Sequence, residues 1–521
     1  MRKIFILYLS LIVLLSACSQ TPTKGPSYTQ TTETKIPTNI KSPTLVSMTI
    51  NPTSTPTKKP TETPTWTSTR TLTRTSTKTP TPNPTATRSP TNEPEPLSDL
   101  GPWGIIGSDN GVWAFNADGT GLHKQSDGKV VKIVQSPEGG HVAFIVDSDE
   151  DLLKGLSLNV LSLPDGEVNN ITDLQNPGVD SNSSLDLIDN AYQVESAVFS
   201  LAWSHDGTRL AFVSGHAGKS ADLYIYSVET NEFTQFSSEP GNPTQISWSP
   251  NDKVIIYIEV ESFGTGAGMT MGDAWAVEVE TGNVYSLYTP TGRWEFFVDW
   301  VSDLEVVVLS NDFECGMTGT TDLRTFNIQD RTEQVLWGDY FDRIERDSKT
   351  GAILISLFDF TAPCNPNNKW GQFLKLPNKD DFLQISQNPV NNISWSYELG
   401  AFLGIGYPPS LFVIYPTGKV IEFDYSLPAL PQVSPDGSLF AWALHQDNDA
   451  GIWVGDLIEA PQKIINIPAR YATWSLSGDR IYFVGYYDNR LYYADSTDFK
   501  PILFSPNIKL NESSLLTWIL P

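Results

Sequence analysis

The sequence predicts an all-β protein: a single closed β-propeller of eight or nine four-stranded blades, preceded by a disordered stalk rich in threonine and proline. Three observations lead to this prediction. A motif in which Trp-Ser or Val-Ser precedes a tight turn recurs through residues 97–521 at intervals of 38 to 52 positions. Each copy is followed by short apolar runs of strand character, and both composition and charge change abruptly near residue 97. Sequential strands at this spacing are typical of propeller blades.

Residues 1–17 have the pattern of a lipoprotein signal peptide. Arg2 and Lys3 precede an apolar run that ends at Leu15 and is too short to cross a hydrocarbon core of about 30 Å. The sequence Leu-Ser-Ala-Cys that ends at Cys18 resembles the bacterial lipobox, in which the cysteine thiol receives a lipid. We therefore expect an extracytoplasmic protein, anchored to a bacterial membrane through acyl chains on Cys18 and facing the cell surface or the periplasm. The alternative is an ordinary signal peptide followed by a cysteine without a lipid.

Residues 18–96 are predicted to be a disordered linker that follows the lipidated cysteine. Of the 78 residues from 19 to 96, 26 are Thr and 14 are Pro, and large apolar side chains are nearly absent. Such a segment cannot bury enough apolar surface to offset the entropy of ordering. Proline favours extended polyproline II conformations, so the segment is expected to hold a folded domain away from the membrane.

Charge and residue usage exclude several classes of partner and cofactor. The chain carries 34 basic and 60 acidic side chains, a formal net charge of −26, whereas nucleic-acid binding needs clustered Lys and Arg. The same balance argues against a basic patch that docks on anionic lipid. Five histidines, none at metal-ligand spacing, and no CxxC pair predict no metal site, and no cofactor is expected.

Residues 97–521 are interpreted as repeats of one antiparallel meander. Asp-Gly or Ser-Gly supplies a tight turn after the first strand, and an apolar second strand packs against the sheets on both sides. The Trp or Val before Ser is expected to end the innermost strand and fill the gap between neighbouring sheets. A single sheet cannot bury both of its faces, so the units must stack. The motif falls at Trp203, Trp248, Trp300, Trp395, Val433 and Trp474, with a match that lacks tryptophan near residue 345.

The two ends of residues 97–521 are predicted to complete one blade together. The segments 104–107, 112–119 and 122–125 have the character of second, third and fourth strands that lack an innermost one. The segment 515–520 has the character of an innermost strand that lacks the others. Pairing these segments closes the ring and removes both exposed sheet edges.

The repeated motif resembles the TolB-type, WD40-like propeller repeat family, whose signature is Trp-Ser-Pro-Asp-Gly. The resemblance extends over residues 101–521 and is carried by segments such as Trp248-Ser249-Pro250 and Ser434-Pro435-Asp436-Gly437. It implies the propeller fold, which serves many unrelated functions. TolB has an additional N-terminal α/β domain where this chain has the stalk, so its partners are not carried over.

The sequence favours a binding or protein-interaction module over an enzyme. Peptidases with TolB-like repeats need a G-x-S-x-G nucleophile motif in an α/β-hydrolase domain, and neither is present, so no catalytic residue is assigned. Loops between second and third strands are long, for example 147–155, 259–273 and 311–322, and share one rim with the insertion 174–196. We expect an unidentified envelope protein, peptide or glycan to bind on this loop-rich face. The alternatives are a glycan-binding or glycan-cleaving enzyme that uses acidic residues on the same face, and a purely structural envelope component.

Two cysteines remain beside Cys18. Cys315 and Cys364 are 49 residues apart, one repeat period, and so lie in equivalent loops of adjacent sheets. Outside the cytoplasm a disulfide between them is expected, and two free thiols are the alternative.

Overall fold

The computed structural model describes residues 95–519, all within the compact unit Arg88–Pro521. It leaves out stretches at 149–154, 176–195, 199, 217–219, 238–241, 265–267, 288–293, 312–319, 340, 358–368, 378, 380, 407–409, 424–426, 428, 447–448, 459 and 511–514. The predicted signal peptide, Cys18, the stalk up to residue 94, Cys315 and Cys364 lie outside the described residues.

Within the described residues, thirty-six strands form nine blades, numbered here in chain order. Blade 1 contains β1 (Trp103–Ser108), β2 (Gly111–Asn116), β3 (His123–Ser126) and β36 (Leu515–Ile519). Blade 2 contains β4 (Lys129–Gln135), β5 (His141–Asp147), β6 (Leu156–Ser162) and β7 (Glu167–Asp173). Blade 3 contains β8 (Leu201–Trp203), β9 (Arg209–Ser214), β10 (Asp222–Ser227) and β11 (Glu232–Ser237). Blade 4 contains β12 (Pro243–Trp248), β13 (Val254–Gly264), β14 (Gly268–Glu278) and β15 (Val284–Ser286).

The remaining five blades follow the same order. Blade 5 contains β16 (Trp294–Ser302), β17 (Glu305–Asn311), β18 (Thr320–Asn327) and β19 (Glu333–Trp337). Blade 6 contains β20 (Arg343–Arg346), β21 (Ile353–Leu357), β22 (Gly371–Lys375) and β23 (Phe382–Ser386). Blade 7 contains β24 (Val390–Ser396), β25 (Ala401–Gly406), β26 (Leu411–Ile414) and β27 (Val420–Phe423). Blade 8 contains β28 (Gln432–Val433), β29 (Phe440–Leu444), β30 (Gly451–Gly455) and β31 (Gln462–Ile465), and blade 9 contains β32 (Ala469–Trp474), β33 (Arg480–Gly485), β34 (Leu491–Asp495) and β35 (Ile502–Leu503).

The predicted closure of the ring is confirmed. Eight blades are sequential antiparallel meanders, whereas blade 1 takes its inner strand, β36, from the other end of the propeller. In the register of this pair, Ile105 lies opposite Thr517 and Gly104 opposite Trp518. The blade count is nine, one of the two predicted values, and the motif match without tryptophan near residue 345 is a true blade.

The hydrophobic core lies between adjacent blades. Side chains alternate between the two faces of a strand, so the second and third strands of a blade pack against the blades on both sides. On β9, Phe212 belongs to the core shared with Leu158 and Val160 of blade 2, whereas Val213 belongs to the core shared with Tyr257 of blade 4. Burial on both faces explains why second and third strands read as continuous apolar runs.

In blades 1, 3, 4 and 9, tryptophan at the end of the inner strand ties the blade to its neighbour. The indole Nε1 of Trp248 donates to the carbonyl of Ala202 at 2.9 Å, and Trp203 donates to Val134 at 3.0 Å. Equivalent bonds run from Trp474 to Gln432 at 3.2 Å and from Trp518 to Trp474 at 3.0 Å. The sequence predicts that the motif tryptophan packs between blades. The hydrogen bonds also fix the orientation of its indole ring.

The prediction of a loop over residues 259–273 is wrong. These residues do not merely connect the second and third strands of blade 4, because β13 and β14 continue as a hairpin to Gly264 and Gly268. Strand-forming and apolar residues such as Val260, paired with Met271, extend the ladder across two register shifts. The loop-rich rim of blade 4 therefore carries a long ribbon.

Replacing Trp248 by Phe should remove the hydrogen bond to Ala202 and keep most of the apolar contact. Trp395 is the matched control, because its indole N–H is buried and has no hydrogen-bond partner among the described residues. Urea unfolding should show that Trp248→Phe lowers the free energy of unfolding by about 1 kcal/mol more than Trp395→Phe does. Equal losses would show that the indole bond contributes nothing beyond packing.

Candidate functional site

The two faces of the ring differ in construction. The turns from first to second strands lie on one face, here called the turn face, and are short. The opposite face, here called the loop face, carries the connections from second to third strands and from one blade to the next. Much of its longest loops lies among the residues that are not described.

Polar residues of the repeated motif organise the turn face. In blade 8, the buried Ser434 hydroxyl donates to Asp436 at 2.6 Å, and the backbone N–H of Ser438 donates to the same carboxylate at 3.0 Å. These hydrogen bonds from Ser434 and Ser438 lower the pKa of Asp436 to about 2. Ser204 and Asp206 make the same pair in blade 3, at 2.6 Å. The Ser and Asp of the motif thus hold the turn.

Asp252 of blade 4 reaches across to the turn of blade 3. Its carboxylate accepts the backbone N–H groups of His205 at 2.7 Å and Asp206 at 2.9 Å, and it lies 2.9 Å from His205 Nδ1. Its own backbone has φ of 55°, a left-handed value that Asn and Asp tolerate better than most residues. His205 is therefore held by a neighbouring blade.

A cavity of about 300 Å³ opens on the turn face and is lined by residues of the four successive blades 3 to 6. Its walls include Trp203, Trp248 and Trp300, the tryptophans of three successive repeats, together with His205 and Asp299. Sequence analysis predicts no site here, because these residues stand a full repeat apart and are brought together only by blade stacking. The sequence signal that could have indicated this cavity is the recurrence of tryptophan at one position of the blade.

An arginine replaces the missing tryptophan of blade 6 beside this cavity. Arg346 donates to the carbonyl of Trp300 at 2.9 Å and forms an ion pair with Asp299. Burial raises the pKa of Asp299, with Arg346 acting in the opposite direction. Burial likewise raises the pKa of Glu345, whose carboxylate accepts the backbone N–H of Trp395 at 3.1 Å. The Arg346 guanidinium therefore links blade 6 to blade 5 by a hydrogen bond and supplies the positive charge that faces Asp299.

A buried carboxyl group also lies near the loop face of blade 3. Asp222, 4% exposed, begins β10 and accepts hydrogen bonds from Gln235 Nε2 at 2.9 Å and from Ser220 Oγ at 3.1 Å. Burial raises its pKa to about 6, although Ser220 acts to lower it. The side chain is enclosed, and both of its carboxylate oxygens accept hydrogen bonds within blade 3. Among the described residues, no three His, Cys, Asp or Glu side chains are grouped so that they could hold a metal ion.

Asp222 should make stability depend on pH between about 4 and 7. Its pKa is higher in the folded protein than in the unfolded chain, so its contribution is complete below about 4 and is lost as the pH rises through about 6. Asp222→Asn should therefore gain thermal stability relative to wild type as the pH rises from 4 to 7, measured by calorimetry.

Asp436→Asn is the control for this titration. The pKa of Asp436 is already about 2 in the folded protein, so its contribution is lost only as the pH falls below about 4. The stability difference between Asp436→Asn and wild type should stay constant from pH 5 to 7. A constant difference for Asp222→Asn as well would contradict the assignment.

Comparison with known proteins gives similarity at the level of structure. Neither the protein-family models nor the curated proteins match the chain. A eukaryotic initiation factor structure aligns with TM-score 0.52 at 12% identity, covering 81% of this chain and 98% of that one. TolB from Acinetobacter baumannii aligns with TM-score 0.30 at 11% identity, covering 55% of this chain and 63% of its own. Dipeptidyl peptidase 4 from Porphyromonas gingivalis aligns with TM-score 0.46 at 12% identity, covering 71% and 58%.

These similarities concern the fold alone. Among the described residues, no helix has both the length and the apolar character to cross a membrane. The resemblance predicted from the repeats is confirmed for the architecture, since the motif tryptophans and serines occupy the predicted places at the ends of inner strands. By the nine four-stranded blades of its described residues, with Trp-Ser turns recurring among them, the chain has the fold of a β-propeller.

Proposed function

We propose that the protein is a lipoprotein of a bacterial envelope and acts as a binding module whose loop face captures an extracytoplasmic ligand. The signal peptide 1–17, the lipid on Cys18 and the stalk to residue 96 would tether the propeller at a distance from the membrane. Two or three acyl chains on one cysteine give stable anchoring, whereas one chain alone is marginal.

The closed ring is the observation that carries this proposal. Pairing of β36 with β1 gives blade 1 its inner strand, so all nine blades have four strands and form one closed support. On the turn face, the motif residues Ser204, Asp206 and Asp252 are engaged in holding turns and neighbouring blades. Recognition by loops on such a scaffold is the usual arrangement, and the longest connections lie on the loop face.

Among the described residues, the carboxyl groups with raised pKa give no support to glycan cleavage on the loop face. Asp299 and Glu345 belong to the inner strands near the cavity on the turn face, and Asp222 is enclosed within blade 3. A glycosidase places two carboxyl groups on either side of one bond, about 5 to 10 Å apart. Binding without cleavage therefore has the better support on the loop face.

The proposal is tested with wild type and Cys18→Ser expressed in a bacterial host. Wild type should fractionate with membranes and take up labelled fatty acid, whereas Cys18→Ser should be released in soluble form. Thermal unfolding of the released protein is then measured with neutral oligosaccharides, peptidoglycan fragments, peptides, and calcium with a chelator control. A ligand at 100 times its dissociation constant adds about 2.7 kcal/mol to stability, enough for a clear shift.

Three outcomes would contradict the proposal. Membrane association of Cys18→Ser that equals wild type would exclude the lipid anchor. Binding that survives replacement of residues 312–319 and 358–370 by short Asn-Gly turns, but is abolished by Trp300→Ala at the turn-face cavity, would move the site to that cavity. A released product would identify an enzyme.

A further inference from the structure

Four side chains of blades 8 and 9 form an aromatic cluster on the loop face. His445 directly follows β29, Tyr486 and Tyr487 lie in the turn between β33 and β34, and Arg470 is the second residue of β32. All four are among the described residues. We call this cluster, His445, Arg470, Tyr486 and Tyr487, the aromatic shelf.

The rings of the aromatic shelf are held in a fixed arrangement. The imidazole of His445 stacks on the ring of Tyr486 with centroids 4.4 Å apart and planes 11° apart. The ring of Tyr487 stands nearly perpendicular to that of Tyr486, at 84° and 5.2 Å. The Arg470 guanidinium carbon lies 5.3 Å from the Tyr486 centroid, a cation–π contact. Each ring except Tyr487 is half-buried by its neighbours.

The backbone of the turn that carries Tyr486 and Tyr487 is held by hydrogen bonds. The N–H of Tyr486 donates to the carbonyl of Pro468 at 2.8 Å, which ties the turn to the segment entering β32. Gly485 donates to Arg490 at 3.0 Å, and Asn489, with φ of 53°, donates back to Gly485 at 3.1 Å. A rigid turn keeps the Tyr487 ring in place before a ligand arrives, so binding loses little conformational entropy.

Tyr487 is the ligand-facing member of the shelf. Its side chain is 79% exposed, although it stands against Tyr486 on the loop face. Asp488 follows it, with one carboxylate oxygen accepting the Tyr492 hydroxyl at 2.6 Å and the other accepting the Arg490 N–H at 3.2 Å. Each carboxylate oxygen has a second lone pair, so Asp488 can still accept hydroxyl hydrogens from a ligand. A free aromatic face beside a carboxylate suits a ring with an apolar C–H face and hydroxyl groups at its edge.

We propose that the aromatic shelf is a subsite for a neutral sugar ring of an extracytoplasmic glycan, stacked on Tyr487 with its hydroxyl groups donating to Asp488. This inference rests on the proposed function and names the ligand class of its loop face. The Arg470 guanidinium already makes the cation–π contact with the adjoining Tyr486 ring, so that contact is formed within the shelf. Asp488 at the shelf and Asp449, in the loop that begins at His445, disfavour an anionic ligand in a chain of net charge −26.

The test uses the full-length Cys18→Ser chain and titration calorimetry with cellotetraose, maltotetraose, mannotetraose and the tetramer of N-acetylglucosamine. At least one should bind, and Tyr487→Ala should weaken that binding tenfold or more. Tyr487→Phe should retain binding, because it keeps the ring that stacks. Tyr397→Ala is the matched control: Tyr397 is 69% exposed but follows Ser396 on the turn face, so its removal should leave affinity unchanged.

Three results would overturn the inference. One is the absence of binding by all four sugars in a chain whose thermal unfolding still responds to a peptide or another ligand. That result would leave the proposed binding function standing and remove only the sugar subsite. The others are sugar affinity unchanged in Tyr487→Ala, and equal losses in Tyr487→Ala and Tyr397→Ala. Failure of the proposed function itself would differ, since no ligand of any class would then shift unfolding.

Discussion

The pairing of β36 with β1 is the contact on which the rest of the molecule depends. It joins residues more than 400 positions apart and gives blade 1 the inner strand that its own segment lacks. Glycine is needed at this seam, since a Cβ on Gly104 would lie 2.1 Å from the Phe115 ring. The Phe115 ring in turn packs against Trp518 of β36 at 5.5 Å and Phe504 at 4.8 Å. Closure therefore combines a strand ladder with an aromatic core between blades 9 and 1.

Closure of the ring explains why the same motif recurs from blade to blade within this chain. Each inner strand has one paired edge and one edge toward the axis. Its links to the adjacent blades must therefore come from side chains. The indole bonds from Trp203, Trp248, Trp474 and Trp518 supply them, and Arg346 supplies one where tryptophan is missing. Residues that resemble catalytic groups, such as Ser434 with Asp436, form part of this structural network.

Most of the fold could be predicted from sequence because its signals are local and repeated. The alternation of apolar residues located the strands, and the Trp-Ser spacing located the blades, including the split blade 1. The extended hairpin of blade 4 was missed, because its glycines and acidic residues suggested a loop although Val260 and Met271 continue the ladder. Arg346 could not be assigned in advance, since its role as a substitute for tryptophan appears only once Trp300 lies beside it.

The candidate sites were harder to predict from the sequence than the fold was. His445 and Tyr486 are 41 residues apart and stack only because blades 8 and 9 adjoin. The prediction that the loop face carries recognition came from loop length, whereas Tyr486 and Tyr487 of the aromatic shelf lie in a turn of five residues, 486–490. A short turn has few conformations, and for that reason it can present a tyrosine ring in a fixed orientation.

Native-state hydrogen exchange of β36 tests ring closure most directly. The account predicts that the amides of 515–519 which pair with β1 exchange as slowly as the paired amides of other inner strands, such as β12 and β32, because all of them open only when the ring opens. Exchange of the whole 515–519 segment at the rate of an unprotected peptide, with β12 and β32 still protected, would contradict closure and leave blade 1 with an open edge.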